Sequence, residues 1–125
     1  MNINAKVIEH DKHRYPTVGD WWVDDKNVLQ IRSSRLSDAR YEQLIILHEL
    51  IEALLCLQDG VDEEAVTQFD IEFEAKRLPG NVEEPGDCVL APYYKQHQIV
   101  MQYEKQLAET LGVNWEAYEK EIESL

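Results

Sequence analysis

The apolar residues between Tyr41 and Gln58 recur with helical spacing, and no glycine or proline interrupts them. At about 100° per residue, the apolar side chains cover roughly 200° of the helix circumference, more than an ordinary surface helix buries. They are Leu44, Ile46, Leu47, Leu50, Ile51, Ala53, Leu54, Leu55 and Leu57. The remaining arc holds Tyr41, Glu42, Ile45, His48, Glu49, Glu52, Cys56 and Asp59. The pattern predicts a central helix with one narrow polar stripe, whose role depends on whether it faces water or a cleft.

Helix signals recur three more times after this central helix. The predicted helices run from about Val61 to Leu78, from Tyr93 to Leu111 and from Trp115 to Ser124. Three of the four predicted helices, the central one included, are preceded by a short polar residue whose side chain can accept backbone N–H groups of the first turn. Two of the four are followed by glycine. The capping residues are Asp38, Asp62 and Asn114, and the glycines are Gly60 and Gly112.

The N-terminal region has the alternation of short strands. Aromatic and β-branched residues in Asp20–Val23 and Val28–Ser33 flank a polar stretch of four residues, which predicts an antiparallel β-hairpin with Leu29 and Ile31 on its buried face. A further short strand is predicted to begin at Val7. We therefore predict one α+β domain over residues 1–125, mainly helical, with a small antiparallel sheet region in 1–36 and a helical region in 37–125.

Composition narrows the possible partners. The chain has 25 acidic and 12 basic residues and a formal net charge of −13, which would repel nucleic-acid phosphates. The charge is compatible with a metal site or a basic protein partner. No apolar run approaches the ~20 residues that span a bilayer. No leader-like apolar segment is evident, and two cysteines, Cys56 and Cys88, make no disulfide framework, so we expect a cytoplasmic protein.

The polar stripe contains the pattern His-Glu-x-x-Glu. His48 and Glu52 are four residues apart, so their side chains leave the same helical face and can bind one metal ion. Glu49 is then the candidate general base for a metal-activated water. Glu52 stands where the related zinc motif has a second histidine, and this harder donor set suits zinc, manganese, iron or magnesium. The alternative is a solvated polar stripe, which is equally compatible with the motif alone.

Two other helices offer candidate ligands. His97 and Glu104 lie seven residues apart on an otherwise apolar helical face. Asp70 lies at the edge of the apolar face of the preceding predicted helix. Because polar groups at such positions usually have partners, we predict a three-ligand site of His48, Glu52 and His97. Asp70 or Glu104 would be a fourth ligand or would orient a histidine. Alternatively, His97 is a core histidine hydrogen-bonded to Glu104, Asp70 or a tyrosine.

Other candidate groups carry less weight. His10 and His13 are favoured as part of a solvated loop or a strand end, since nothing nearby is apolar enough to close a site. Cys56 is favoured as a packing residue. The loop from Pro79 to Pro92 is long enough to be functional, and its Asp87 and Cys88 could close over a site.

Two resemblances follow from these motifs. The strand Val28–Arg32 followed by the helical stretch Leu47–Ala53 resembles the zincin-type metallopeptidases, in which a strand lines the cleft and a helix carries ligands and base. The resemblance implies His48 as a ligand and Glu49 as the base. The stretch is also similar to the His-Glu-Leu-x-His-Ala helix of small phage- and prophage-associated metallopeptidases.

A second likeness spans most of the chain and concerns a group of small phage-type proteins. It implies no activity. The residues that carry it are Gly19-Asp20-Trp21, His48-Glu49-x-Ile51-Glu52, Glu84-Pro85-Gly86-Asp87, Ala91-Pro92-Tyr93, His97 and Gly112-Val113-Asn114-Trp115.

The leading hypothesis is a metal-binding protein with a zincin-like site, a metal-dependent hydrolase acting on an unknown substrate. A second hypothesis is an all-helical, magnesium-dependent nucleotide pyrophosphatase; Glu49 and Glu52 supply its first Glu-x-x-Glu pair, but a second pair is missing. The third is a non-enzymatic, acidic phage-type protein that engages a basic host factor.

Overall fold

The computed structural model describes all 125 residues, with three strands followed by four helices. The strands are β1 (Asn2–Ile8), β2 (Gly19–Val23) and β3 (Val28–Ser34). The helices are α1 (Ala39–Asp59), α2 (Glu63–Ala75), α3 (Tyr94–Thr110) and α4 (Trp115–Glu123). Single 3₁₀ turns occupy His10–Lys12 and Pro85–Asp87. The predicted α+β class with four helices is confirmed.

The sheet is mixed, whereas the sequence predicted a purely antiparallel one. Its strand order is β1-β3-β2, so β3 is central. β2 runs antiparallel to β3, and β1 runs parallel to it from the pair Asn2–Val28 to the pair Ile8–Ser34. The prediction that a strand begins at Val7 was wrong, because the strand is nearly complete there. The backbone of β1 pairs with β3. The alternation of apolar and polar residues in β1 is too weak to predict this strand from its own sequence.

The connection between β2 and β3 is held by one side chain. The Asp24 carboxylate accepts the backbone N–H groups of Lys26 and Val28, both at 2.9 Å. Asn27 has a φ of 61°, a left-handed conformation that asparagine tolerates better than most residues. On β3, Leu29 and Ile31 are buried, as the alternation predicted.

The predicted helix ends agree with the capping chemistry. The side chains of Asp38, Asp62 and Asn114 each accept a backbone N–H in the first turn of their helix. Gly60 follows α1 with a φ of 72°, the left-handed conformation in which glycine is favoured. The second helix ends at Ala75, three residues before the predicted end.

The helix α1 buries its polar stripe, and this is the main departure from the hydrophobic pattern. Its buried side chains are Leu44, Ile45, His48, Glu52, Ala53 and Cys56. In contrast, Leu54 and Leu57 of the predicted apolar arc are 38% and 40% exposed. The helix packs with α3 and with strands β2 and β3, so the neighbours it meets, rather than its most apolar arc, determine the buried face.

Two apolar clusters lie on either side of this buried polar stripe. The first joins the sheet to the C-terminal half of α1 and contains Trp21, Leu29, Ile31, Ala53, Cys56, Val66, Ala91 and Tyr93. The second joins the start of α1 to α3 and α4 and contains Leu36, Leu44, Ile45, Ala108 and Tyr118. His48 and Glu52 thus lie between two regions of core. None of the helices combines the length and apolarity that a membrane crossing requires.

Candidate metal centre

The structure brings together His48, Glu52 and His97, the three residues that the sequence nominated as ligands. One oxygen of Glu52, Oε2, is 3.2 Å from Nε2 of His48 and 3.4 Å from Nδ1 of His97. The three candidate ligand atoms lie within 4.8 Å of one another, and all three residues are buried. The i, i+4 spacing places His48 and Glu52 one turn apart on α1, and the packing of α3 on α1 supplies His97.

Glu104 fixes the orientation of the first imidazole. Its Oε1 lies 2.5 Å from Nδ1 of His48, and both side chains are buried. With Nδ1–H donating to this carboxylate, Nε2 of His48 is the nitrogen directed at Glu52. A carboxylate behind a histidine in this way is the usual partner of a metal-binding imidazole. Glu104 therefore lies where the orienting role, one of the two roles predicted for it, would place it.

Strand β2 orients the shared carboxylate. The indole Nε1–H of Trp21 donates to Oε1 of Glu52 at 3.2 Å, which leaves Oε2 to face both imidazoles. The sequence did not reveal this contact, because Trp21 fits a core position equally well. It has both roles, since the rest of its ring belongs to the first apolar cluster.

The loop between α2 and α3 covers the far side of His97. Nε2 of His97 lies 3.1 Å from Oε2 of Glu84 and 3.3 Å from Oδ1 of Asp87. Between them, Gly86 packs so closely on the imidazole that a Cβ built there would lie 2.4 Å from two ring atoms. The sequence identified this loop as functional in length but missed Glu84. Glu84 entered the sequence analysis only within the Glu84-Pro85-Gly86-Asp87 stretch of the second likeness, and not as a candidate ligand.

Glu49 lies beside the candidate ligands, at the cavity wall. It is half-buried and makes no hydrogen bond or ion pair with another side chain. It packs against Gly19 of β2, where a Cβ would lie 2.6 Å from Oε1 of Glu49. The zincin resemblance placed Val28–Arg32 along the cleft, and that placement was wrong. β3 is the central strand, so the edge strand β2 lines the cavity instead.

Asp70 is held by two tyrosines and is not among the converging ligand atoms. It accepts hydrogen bonds from Tyr15 at 3.1 Å and from Tyr93 at 2.5 Å. The Tyr93 ring in turn meets His97 edge-on, with centroids 6.2 Å apart. Burial raises the pKa of Asp70 to about 7, although the hydrogen bond from Tyr93 opposes this. Asp70 is therefore linked to His97 through the ring of Tyr93.

The two imidazoles are embedded among carboxylates, which changes how they hold protons. Burial lowers the pKa of His48, but its bonds to Glu104 and Glu52 outweigh this and raise it well above the usual value. The pKa of His97 is likewise raised to about 9 by Glu52 and Glu84, against the effect of burial. Burial raises the pKa of Glu52, yet the two imidazoles lower it to about 2. Without a metal, the surrounding carboxylates therefore favour the imidazolium form of both histidines.

An open cavity of about 580 Å³ leads to these residues. Both His48 and His97 line it, together with Glu49 and Glu52. Among the charged side chains of its wall, acids outnumber lysine and arginine, of which only Arg77 and Lys105 are present. The cavity therefore favours cationic groups over anionic ones.

The remaining candidates lie away from this centre. His10 and His13, predicted to lie in a solvated loop or at a strand end, follow the end of β1, where they are half-buried and both contact the buried hydroxyl of Ser34. The turn at His10–Lys12 folds back over the end of β3, which the local composition did not indicate. Cys56 is fully buried in the first apolar cluster, in its predicted packing role. Cys88 is half-buried in the loop and is not among the converging ligand atoms.

Comparisons with known proteins give no match to any family model, curated protein or solved structure. The resemblances to zincins and to phage-type proteins therefore stay predictions. The function proposed for the chain rests on the geometry of its site.

Proposed function

We propose that this protein binds a divalent metal ion, zinc in the first place, through Nε2 of His48, the Glu52 carboxylate and Nδ1 of His97. We further propose that it is a metal-dependent hydrolase. The observation that carries the proposal is the convergence of these three atoms in the interior, within 4.8 Å of one another and beside an open cavity.

The donor set fits a catalytic metal. Two imidazoles and one carboxylate are the ligands of several zinc hydrolases, which keep a fourth position open for water. Manganese and iron accept the same mixture of nitrogen and oxygen donors. The two candidate ligands on α1 are each oriented by a further hydrogen bond. His48 donates one to Glu104, and Glu52 accepts one from Trp21. Such supporting bonds hold ligands in place before a metal arrives.

A bound metal at this position would polarise a water molecule and a substrate carbonyl or phosphoryl oxygen. Glu49 would accept the proton that the water loses. Its carboxylate has no partner in the protein, and burial together with the charge of Glu52 raises its pKa well above the usual value. A carboxylate with a raised pKa is a stronger base than an exposed one, which suits proton transfer near neutral pH.

A zincin-like arrangement is part of the proposal. The helix α1 carries the His-Glu-x-x-Glu stripe, and Gly19 and Trp21 of the edge strand β2 contact Glu49 and Glu52 respectively. A reducing, cytoplasmic location is proposed on the ground that Cys56 and Cys88 are both free.

The test is the metal content of the purified protein, measured beside two variants. We expect the wild-type chain to retain zinc or manganese and to unfold at a higher temperature when either is added. His48→Ala should hold one metal equivalent fewer. His13→Ala, which removes a half-buried histidine outside the centre, should behave as wild type. Absence of bound metal, with no thermal stabilisation by zinc or manganese, would contradict the proposal.

The competing hypotheses fare differently. An all-helical nucleotide pyrophosphatase does not suit a chain with a three-stranded sheet, and the second pair of acids that it requires is missing from the sequence. A non-enzymatic acidic protein with a basic partner keeps its support from the net charge of −13. It gains if His48→Ala changes neither metal content nor stability.

A further inference from the structure

His97 presents its second nitrogen to a separate group of acids. Nδ1 faces Glu52 in the interior, whereas Nε2 faces Glu84 and Asp87 at the mouth of the cavity. One carboxylate oxygen from each acid and Nε2 lie within 4.8 Å of one another. These three residues form the outer group, and only His97 is shared with the inner ligands.

The outer nitrogen of His97 is buried without a hydrogen bond. His97 is 3% exposed, and its Nε2 has no hydrogen-bond partner although two carboxylate oxygens lie 3.1 and 3.3 Å away. Both oxygens lie off the axis along which an N–H would donate. A buried polar atom left in this state is costly. Three ligand-type atoms within 4.8 Å of one another, with no hydrogen bond to the imidazole nitrogen, are an arrangement that a cation can complete.

The loop that carries the acids is fitted to the imidazole. Gly86 lies between Glu84 and Asp87 and is buried against the ring of His97, where any side chain would collide. Gln98 on the first turns of α3 donates to Oδ1 of Asp87 at 3.1 Å. The backbone between the two acids is therefore held against His97 at Gly86, and the Asp87 carboxylate is held by Gln98.

Charge also favours a cation here. Around the two imidazoles of His48 and His97 lie five carboxylates, those of Glu49, Glu52, Glu84, Asp87 and Glu104. Negative charge therefore exceeds positive charge even when both imidazoles are protonated. A second divalent ion at the cavity mouth would offset this excess where Glu84 and Asp87 are still half-exposed to water.

We propose that Glu84, Asp87 and Nε2 of His97 form a second divalent-cation site, so that His97 lies between two ions. Of the two ions, only the inner one rests on the proposed function; the outer site is argued from its own residues. Two carboxylates and one imidazole suit manganese or zinc, with water completing the coordination on the exposed side. With both sites filled, the ring has lost the protons of both nitrogens, because each adjacent cation favours the deprotonated form. The outer ion would also hold the loop over the inner site.

The experiment counts zinc ions per chain by native mass spectrometry after equilibration with zinc. We expect two ions for wild type and one for the double variant Glu84→Gln, Asp87→Asn. His48→Ala should also retain one, bound at the outer site. Glu83→Gln is the matched control, since it removes one exposed carboxylate of the same loop and should leave two ions. Thermal unfolding in chelator shows whether each variant remains folded.

The possible results separate the two proposals. Two ions in the double variant would overturn the outer site. A single wild-type ion that only His48→Ala removes would overturn the outer site and support the inner one. A single ion that only the double variant removes would do the reverse. A single ion that both variants remove would show one shared site and overturn the second ion, and no ion in wild type would overturn both.

Discussion

Two pairs of histidines in this protein are each arranged around a shared side chain, but burial and charge shift the pKa in opposite directions at His13 and His97. His10 and His13 each place a ring nitrogen on the Ser34 hydroxyl, at 2.8 and 2.9 Å. His48 and His97 each place one on a Glu52 oxygen, at 3.2 and 3.4 Å. The first pair shares a neutral group that can donate to one ring and accept from the other. The second pair shares an anion that can only accept.

The shared group and its surroundings account for the difference. Burial lowers the pKa of His13, with Asp20 opposing it and His10 and Arg32 adding to it. The carboxylates around His97 raise its pKa to about 9 against the same effect of burial. Two histidines close together therefore do not make a metal site. Of the two pairs, only the inner one has carboxylate oxygens beside its ring nitrogens, and this negative charge favours a cation there.

The largest expected effect is the loss of metal binding in His97→Ala, which removes a ligand of both proposed ions. In wild type, free zinc at 100 times its dissociation constant should raise the free energy of unfolding by about 2.7 kcal/mol for a single site. That increase should vanish in His97→Ala and persist in His13→Ala, as measured by thermal unfolding with and without zinc. A zinc effect that depends on His13 instead would remove the distinction between the pairs.

A smaller effect is expected when the carboxylate behind His48 is neutralised. Glu104→Gln keeps an oxygen for Nδ1 of His48 but loses the negative charge, and we expect zinc to bind about tenfold more weakly. Competition with a chromophoric chelator would measure this. Glu109→Gln, on the exposed side of the same helix, serves as the control. Equal affinities for the two variants would show that Glu104 does not support the metal.

The metal-free protein should respond to pH in opposite directions at the two pairs. The folded pKa of His97, about 9, exceeds the unfolded value of 6.5, so its stabilisation is complete below pH 6.5 and is lost as pH rises through 9. The folded pKa of His13 is lowered, so its stabilisation is present above pH 6.5 and is lost as pH falls.

Denaturant unfolding in chelator across this pH range would compare His97→Asn and His13→Asn with wild type. The cost of His97→Asn should shrink as pH rises, and the cost of His13→Asn should shrink as pH falls. Profiles that change in the same direction would refute the electrostatic difference between the pairs.

The smallest effect is expected at the hydroxyl shared by His10 and His13. Ser34→Ala removes their common partner, and we expect a loss of about 1 kcal/mol in the free energy of unfolding. Zinc binding should be unchanged. Urea unfolding and a zinc titration measure the two quantities, and altered zinc affinity would contradict the separation of the two histidine pairs.

Much of the local structure could be predicted from the chain. The caps at Asp38, Asp62 and Asn114 depend on a side chain and a backbone N–H two or three residues away, so the sequence contains both partners. The burial of Leu29 and Ile31 follows from strand alternation. The pairing of His48 with Glu52 follows from helix geometry.

The errors arose where a partner comes from a distant element. The parallel strand β1 is stabilised by β3, more than twenty residues later, so its own pattern was too weak to reveal it. The face that α1 buries depends on α3 and β2, which is why Leu54 and Leu57 are exposed although their arc is the most apolar. Glu84 reaches His97 only because the loop packs through Gly86.

The sequence by itself determined the four helices, the α+β class and the candidate metal ligands on the central helix, because spacing along a chain controls which residues share a face. Only the tertiary structure decided that the stripe of His48, Glu49 and Glu52 faces inward, between two apolar clusters and opposite His97. The physical reason is that the burial of a side chain and the charges around it are determined by contacts between helices, strands and loops that are distant in the sequence. The same two residue types, histidine and carboxylate, acquire raised or lowered pKa values according to those contacts.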